Sequence, residues 1–401
     1  MSTAPSLFLS AAPVLSGGCT APSHAQDAWG TLWEGNAMKQ TRLYERHVAL
    51  GARIVDFAGW ALPVQYPTGP VQEHLNVREK AGLFDIDHMG QLEVRGRDAL
   101  PYLQRLVTWD VARMALYEAH YALVCYDDGG VVDDIFIYRL PDRYFIAINA
   151  ANNEKDTRWF QAHTHGFDVE VRNISEETYM LALQGPRAEA ILQKLTPTDL
   201  SKVAFHTAVE TEVAGVPTLV GRTGYTGEDG FELFFPAERA LHVWDRLLEA
   251  GEPEGLLPIG LAARDSLRFE ACMPLYGQEI GPDLDPIGAG LGWAVRFDKG
   301  DFIGREALLK IKLEGPAYKL VAFEMVDRGV PRHEYEVLVD DVSVGEVTTG
   351  MYSPSTDRYV GLAYVPAEHS APGTEIGILI RDKVKRAKVV EKPFYTPAYR
   401  R

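Results

Sequence analysis

Between Gly129 and Asn149 apolar residues alternate with a few polar ones in GGVVDDIFIYRLPDRYFIAIN. The pattern predicts two β-strands, VVDDIFIYRL and YFIAIN, joined by the turn Pro141-Asp142-Arg143. Strand side chains point alternately to opposite faces, so Asp133 and Asp134 must diverge. Strict alternation groups Asp133 with Val131, Ile135 and Ile137, and Asp134 with Val132, Phe136 and Tyr138. A carboxylate beside aromatic rings suits a planar, nitrogen-bearing ligand. Capping of a strand entry at a Gly-Gly turn is the competing reading, and the hairpin alone leaves both open.

The same patterning predicts helices over Leu43–Leu50, Val71–Lys80, Ala99–Leu106, Glu154–His163, Arg187–Leu195, Glu238–Glu249 and Pro258–Met273. The fourth is polar, and the last is ended by Pro274. Strands are predicted at Tyr179–Gln184, Thr218–Arg222 and Phe231–Phe235. From about Tyr318 onward the chain reads as short strands and turns, which predicts a separate small β-domain. Residues 1–38 contain no Lys or Arg and are rich in Ala, Ser, Gly and Pro. They read as a disordered tail or as the product of a start codon assigned too far upstream, with Met38 as the alternative start.

The 401 residues are 46% hydrophobic and 24% charged, enough for two or three packed cores. A formal net charge of −16 argues against nucleic acid or an anionic membrane as the main partner. No apolar run approaches the roughly 20 residues that span a bilayer. Cys19, Cys125 and Cys272 are scattered and outside any CxxC spacing, which disfavours a disulfide framework or zinc site. A reducing, cytoplasmic setting is expected, and no metal.

Three further segments carry candidate chemistry. The loop Gly224-Tyr225-Thr226-Gly227-Glu228-Asp229-Gly230 leads into a strand with Phe231, Leu233 and Phe235 on one face and Glu232 with Phe234 on the other. Glu232 is either solvated at a simple hairpin or a second carboxylate beside an aromatic ring. Arg264 and Arg268 sit four apart on one helix face. Buried arginines need carboxylate partners or an anionic ligand, and the spacing does not choose between them. His88 has no nucleophile at recognisable spacing, and the aspartates around Pro282–Pro286 do not follow a calcium loop. A P-loop and a dinucleotide fingerprint are both missing from the sequence.

Taken in order, VDFAGWALPVQY, AGLFDIDHMG, GGVVDDIFIY, INAANNEKD, LALQGP, RTGYTGEDGFEL, GLAARDSLRFEA, LYGQEI and DFIGREAL resemble the aminomethyltransferase (T-protein) family of the glycine cleavage system. The resemblance runs from about Thr41 to the C-terminus. It implies an α+β, three-lobed fold: a folate-binding catalytic region of two interleaved lobes over residues 39–312, then a β-barrel-like domain over 313–401. It implies transfer of a one-carbon unit from the aminomethyl group on lipoylated H-protein to tetrahydrofolate, with release of ammonia. Asp134 matches the catalytic carboxylate. Tyr121, Asn149 and Tyr225 match positions lining the folate pocket, Glu232 a pterin-gripping residue, and Arg264 a substrate-binding arginine. Tyr399 or Arg400 is expected to reach the same channel. Asp87 replaces the usual Ser, Ala262 a common Gly, and SPSTDRYVGLA the usual last-domain turn; no proposed site residue is lost. Related folds serve tetrahydrofolate-dependent demethylases and a folate-binding iron–sulfur maintenance protein. The latter carries a Lys-Gly-Cys-Tyr motif that this chain lacks around Cys272.

Overall fold

The predicted hairpin forms where the alternation placed it. In the computed structural model, which describes residues 38–397, strands β1 (Ala119–Cys125), β2 (Val131–Arg139) and β3 (Tyr144–Ile148) run antiparallel side by side. Strands Gly90–Arg95 and Glu170–Asn173 complete this five-stranded sheet. Helices Ala99–Leu106 and α1 (Asn153–Ala162) cover one side, burying Tyr102, Leu103, Leu106 and Phe160 against Ile135, Ile137 and Ile146. Each such side chain, fully buried, contributes roughly 1.5–3 kcal/mol.

The face assignment needs one correction. Val124 pairs with Asp133, but Cys125 pairs with Val131, so β2 carries an extra residue at Val132. This β-bulge exchanges the two valines. Val132 packs with Ile135 and Ile137, whereas Val131 joins Leu123 and Cys125 on the opposite side. The groupings of Asp133 with Ile135 and Ile137, and of Asp134 with Phe136 and Tyr138, stand because they lie beyond the bulge. At the turn before it, the cap on the Gly130 amide is Asp128, at 3.0 Å, and neither Asp133 nor Asp134. Gly130 itself is required by close approach, since a Cβ there would lie 1.8 Å from the Pro282 carbonyl oxygen.

A second, six-stranded sheet runs Ala208–Val213, Val216–Gly221, β4 (Gly230–Pro236), Thr178–Gln184, Ala81–Asp85 and Leu256–Pro258. Phe231, Leu233 and Phe235 face helices Ala188–Gln193 and Ala240–Gly251 in a core centred on Trp244. The opposite face, with Phe234 and Leu219, packs on Tyr138 and Phe145 of the first sheet. The two sheets therefore meet along the faces that bear Asp134 and Glu232.

Helix α2 (Leu261–Glu270) closes one end of this seam through Ala263 and Leu267. It is shorter than the predicted Pro258–Met273. Pro258 is captured by parallel pairing of Leu256–Pro258 with Ala81–Leu83, and Cys272 takes a left-handed backbone at φ 54° before Pro274. The C-terminal β-domain is a closed six-stranded barrel, ordered Tyr318–Met325, Arg358–Pro366, Val342–Ser353, Glu336–Val339, Glu375–Ile380 and Lys383–Val390. Among the described residues no helix is long and apolar enough to cross a membrane, and Cys125 and Cys272 are free thiols. The expectations for residues 1–37, and for Tyr399 and Arg400, lie outside the described residues.

Candidate active site

β2 delivers two adjacent carboxylates to opposite sides of one sheet, with different surroundings. Asp133 turns inward and is fully buried. Its oxygens accept from the Asn149 backbone amide at 3.2 Å, Asn149 Nδ2 at 2.9 Å and Asn152 Nδ2 at 2.7 Å. Asp134 turns to the seam between the sheets, where its Oδ1 accepts from Asn149 Nδ2 at 2.7 Å. The same Nδ2 lies 3.2 Å from the Asp134 carbonyl, so one amide group holds both carboxylates. Desolvation, and then the neighbouring charge of Asp133, raise the Asp134 carboxyl to about 7. The group therefore exchanges its proton near neutrality, as a general acid or base should.

Tyr121 on β1 stands opposite Phe136 and sends its hydroxyl toward Asp134. The contact falls outside hydrogen-bonding geometry, and among the described residues the buried hydroxyl has no partner. Burial and the Asp134 charge hold the phenol well above its ordinary range, which keeps it a donor.

Along the same face of β2, Tyr138 reaches across the seam to Glu232 on β4. Glu232 Oε2 accepts from Tyr138 Oη at 3.2 Å and Thr223 Oγ1 at 2.5 Å. Both bonds fall on one oxygen, and among the described residues Oε1 accepts none. Burial raises this carboxyl above its usual range, against the bonds from Thr223 and Tyr138. Glu232 is half-buried and bonded rather than simply solvated.

Arg264 and Arg268 on α2 separate cleanly. Arg268 is spent internally, at 2.8 Å from both Asp265 and Glu279. Arg264 makes no ion pair among the described residues, and its guanidinium lies over the Tyr225 ring, 4.7 Å from the centroid. Tyr225 is fixed by donating its hydroxyl to the Pro274 carbonyl. The loop that carries it turns on Gly227, at φ 79°. Asp134 and Arg264 both bear on the Tyr225 phenol, and Arg264 on Glu232 and His88. The structure thus gathers Tyr121, Asp134, Asn149, Tyr225, Glu232 and Arg264 at one seam.

Sequence reasoning missed the groups that frame it. Buried Arg78 bonds Glu228 and Glu270, each at 3.0 Å, and Glu270 takes Ser353 Oγ of the barrel at 2.6 Å. Glu279 accepts from Thr348 and Thr349 of the barrel, each at 2.6 Å. Asp156, at the end of INAANNEKD, lies fully buried under Asp133. An acid within an otherwise helical, half-apolar face was the available signal.

The family descriptions "GCVT N-terminal domain" and "Glycine cleavage T-protein C-terminal barrel domain" match residues 43–299 and 319–396. An aminomethyltransferase of Symbiobacterium thermophilum is 53% identical, covering 91% of this chain and 99% of its own. One from Halalkalibacterium halodurans is 51% identical, covering 89% and 98%. The crystal structure of glycine cleavage system aminomethyltransferase T from Bartonella henselae superposes with a TM-score of 0.85 at 34% identity, covering 91% of this chain and 100% of that one. Two sheets with a shared acidic seam, a closed barrel, and these matches over nearly the whole described chain lead to one assignment: the chain belongs to the aminomethyltransferase, or T-protein, family of the glycine cleavage system.

Proposed function

We propose that this chain moves the one-carbon unit of an aminomethyl group, carried on the lipoyl arm of H-protein, to tetrahydrofolate, with Asp134 as the carboxylate at the reacting nitrogen. Tetrahydrofolate is the co-substrate of this family, and the products are 5,10-methylenetetrahydrofolate, ammonia and the dihydrolipoyl arm. Two carbon–nitrogen bonds form on the folate, while the carbon–sulfur and carbon–ammonia bonds break. The two folate N–H protons end on sulfur and ammonia, so a group that exchanges protons near neutrality is required at the folate nitrogen.

Asp134 is that group, and its setting is the observation that carries the reading. It is poised near pH 7, aimed by Asn149, and lies beside Phe136 on a seam between two sheets. In ionised form it accepts the folate N–H and stabilises positive charge on the carbon being transferred. Other features support a reduced pterin here. Glu232 keeps Oε1 for the paired N–H donors of a pterin ring, Tyr121 has a buried hydroxyl to give, and Arg264 makes no ion pair among the described residues. Arg264 is the anchor for a folate carboxylate or an adjacent acid, and Tyr225 orients it. Asn149 lines the pocket through its carbonyl oxygen, since its amide hydrogens are spent on the two aspartates. The motif resemblance alone carries Tyr399 or Arg400 to the folate channel. Free Cys125 and Cys272 are in keeping with a reducing cytoplasm.

A coupled assay tests the whole: glycine, the decarboxylase, lipoylated H-protein and tetrahydrofolate, with methylenetetrahydrofolate as readout. Failure of this chain to complete the system defeats the proposal. Glu232→Gln is expected to weaken tetrahydrofolate binding about tenfold or more, the worth of a charged hydrogen bond. Calorimetry with the purified variant checks this, and an unchanged Kd removes Glu232 from the pterin contact.

A further inference from the structure

Helix α1 lies beneath β2 and turns Asp156 toward it. The Asp156 side chain is buried to 1% exposure, and among the described residues neither oxygen has a hydrogen-bond partner. Its nearest cation, Lys155 Nζ, is 3.9 Å away and committed elsewhere, to the Val132 carbonyl, the Tyr276 hydroxyl at 2.9 Å and the Tyr276 ring. What faces Asp156 is another carboxyl, that of fully buried Asp133.

Two ionised carboxylates in contact and shut off from water repel too strongly to coexist. One proton between them removes the repulsion and turns an unsatisfied oxygen into a donor. The amides decide which acid carries it. Three N–H groups, from Asn149 twice and Asn152 once, already converge on Asp133, and each needs an acceptor there. No donor converges on Asp156 among the described residues.

We propose that Asp156 and Asp133 share a single proton, borne by Asp156 and donated to Asp133, so that Asp133 is the anchored acceptor through which Asn149 aims Asp134. Asp156 is thus a positioning residue that touches neither substrate. Desolvation and the charge of Asp133 both hold its carboxyl far above the ordinary range, which agrees with the geometry. The other titratable groups around the pair are Asp134 on β2, Lys155 on α1 and Tyr276 beyond α2, with Tyr121 on β1 facing Asp134. The pairing keeps one negative charge, rather than two, beneath Asp134.

Only the kinetic arm of the test rests on Asp134 being the reacting carboxylate. Asp156→Asn keeps a neutral donor to Asp133. In full-length protein at about pH 8, where ordinary carboxyls are ionised, the infrared difference spectrum of wild type minus Asp156→Asn is expected to show one buried carboxylic-acid carbonyl band. In the same variant, turnover is expected to stay within about threefold of wild type, because the hydrogen bond survives. The acid limb of its kcat/KM profile is expected not to move. Asp156→Val, which lacks the donor, is expected to lose about tenfold in kcat with little change in KM for folate. A difference spectrum that lacks this band overturns the shared proton. An acid limb displaced by about one pH unit or more means that the substitution removed a charge, and overturns it equally. Should Asp156→Val fold poorly, the infrared comparison still decides. If Asp134→Asn proves fully active, the catalytic reading fails while the spectrum continues to report on the pair.

Discussion

Asp134→Asn is expected to reduce turnover by about 100-fold or more, while tetrahydrofolate still binds. That is the lower range for a positioned proton-transfer group. The amide keeps the size and the contact with Asn149 but accepts no proton from the folate nitrogen. Stopped assays with lipoylated H-protein and calorimetry with tetrahydrofolate separate the two effects. Unchanged turnover removes Asp134 from the mechanism. In the wild type the working form is the carboxylate, so activity is expected to fall as pH drops below about 7. The stability consequence has the opposite sense. A carboxyl whose folded pKa is raised binds a proton more tightly when folded, so its contribution to stability declines as pH rises from the unfolded value toward 7. Asp134→Asn is therefore expected to be at least as stable as wild type at mildly alkaline pH, a stability gain at the expense of function. Asp133→Asn behaves differently. It weakens the acceptor of three amide groups, so its main effect is on stability, with a smaller loss of turnover than Asp134→Asn.

The largest stability effect is expected at Arg268. Its guanidinium is almost wholly buried and joins Asp265, Glu279, Gln278 and Thr349, linking α2 to the barrel strand Val342–Ser353. Arg268→Met leaves Glu279 buried without its cation, at a cost of about 3–5 kcal/mol. Urea denaturation monitored by tryptophan fluorescence measures it. Replacing Glu279 by Leu in the same protein is expected to recover much of that loss, because no lone charge then stays inside. A single-site cost below about 1 kcal/mol, the level of an exposed pair, contradicts the anchoring role.

Much of this site was legible in the chain because it lies on regular strands. Period-two alternation alone put Asp134 with Phe136 and Tyr138, and Glu232 with Phe234, and both groupings survive in the folded protein. The Val131–Val132 assignment failed because a bulge is set by the Pro282 segment closing on Gly130, a contact distant in sequence. The start of α2 was placed early for a similar reason. Sheet pairing takes Leu256–Pro258 before helical propensity acts. The different fates of Arg264 and Arg268 were invisible at i,i+4 spacing, since Glu279 lies beyond the helix and Thr349 in another domain. Asp156 went unread because its meaning depends on Asp133, 23 positions earlier and on another element.

Asn149 offers two amide hydrogens to three oxygens. Such oversubscription means that Asp134 can release its share to an incoming N–H without stranding the asparagine, which stays engaged by Asp133 and the main chain. The reactive acid is thus steadied while it waits and surrendered cheaply when the substrate arrives.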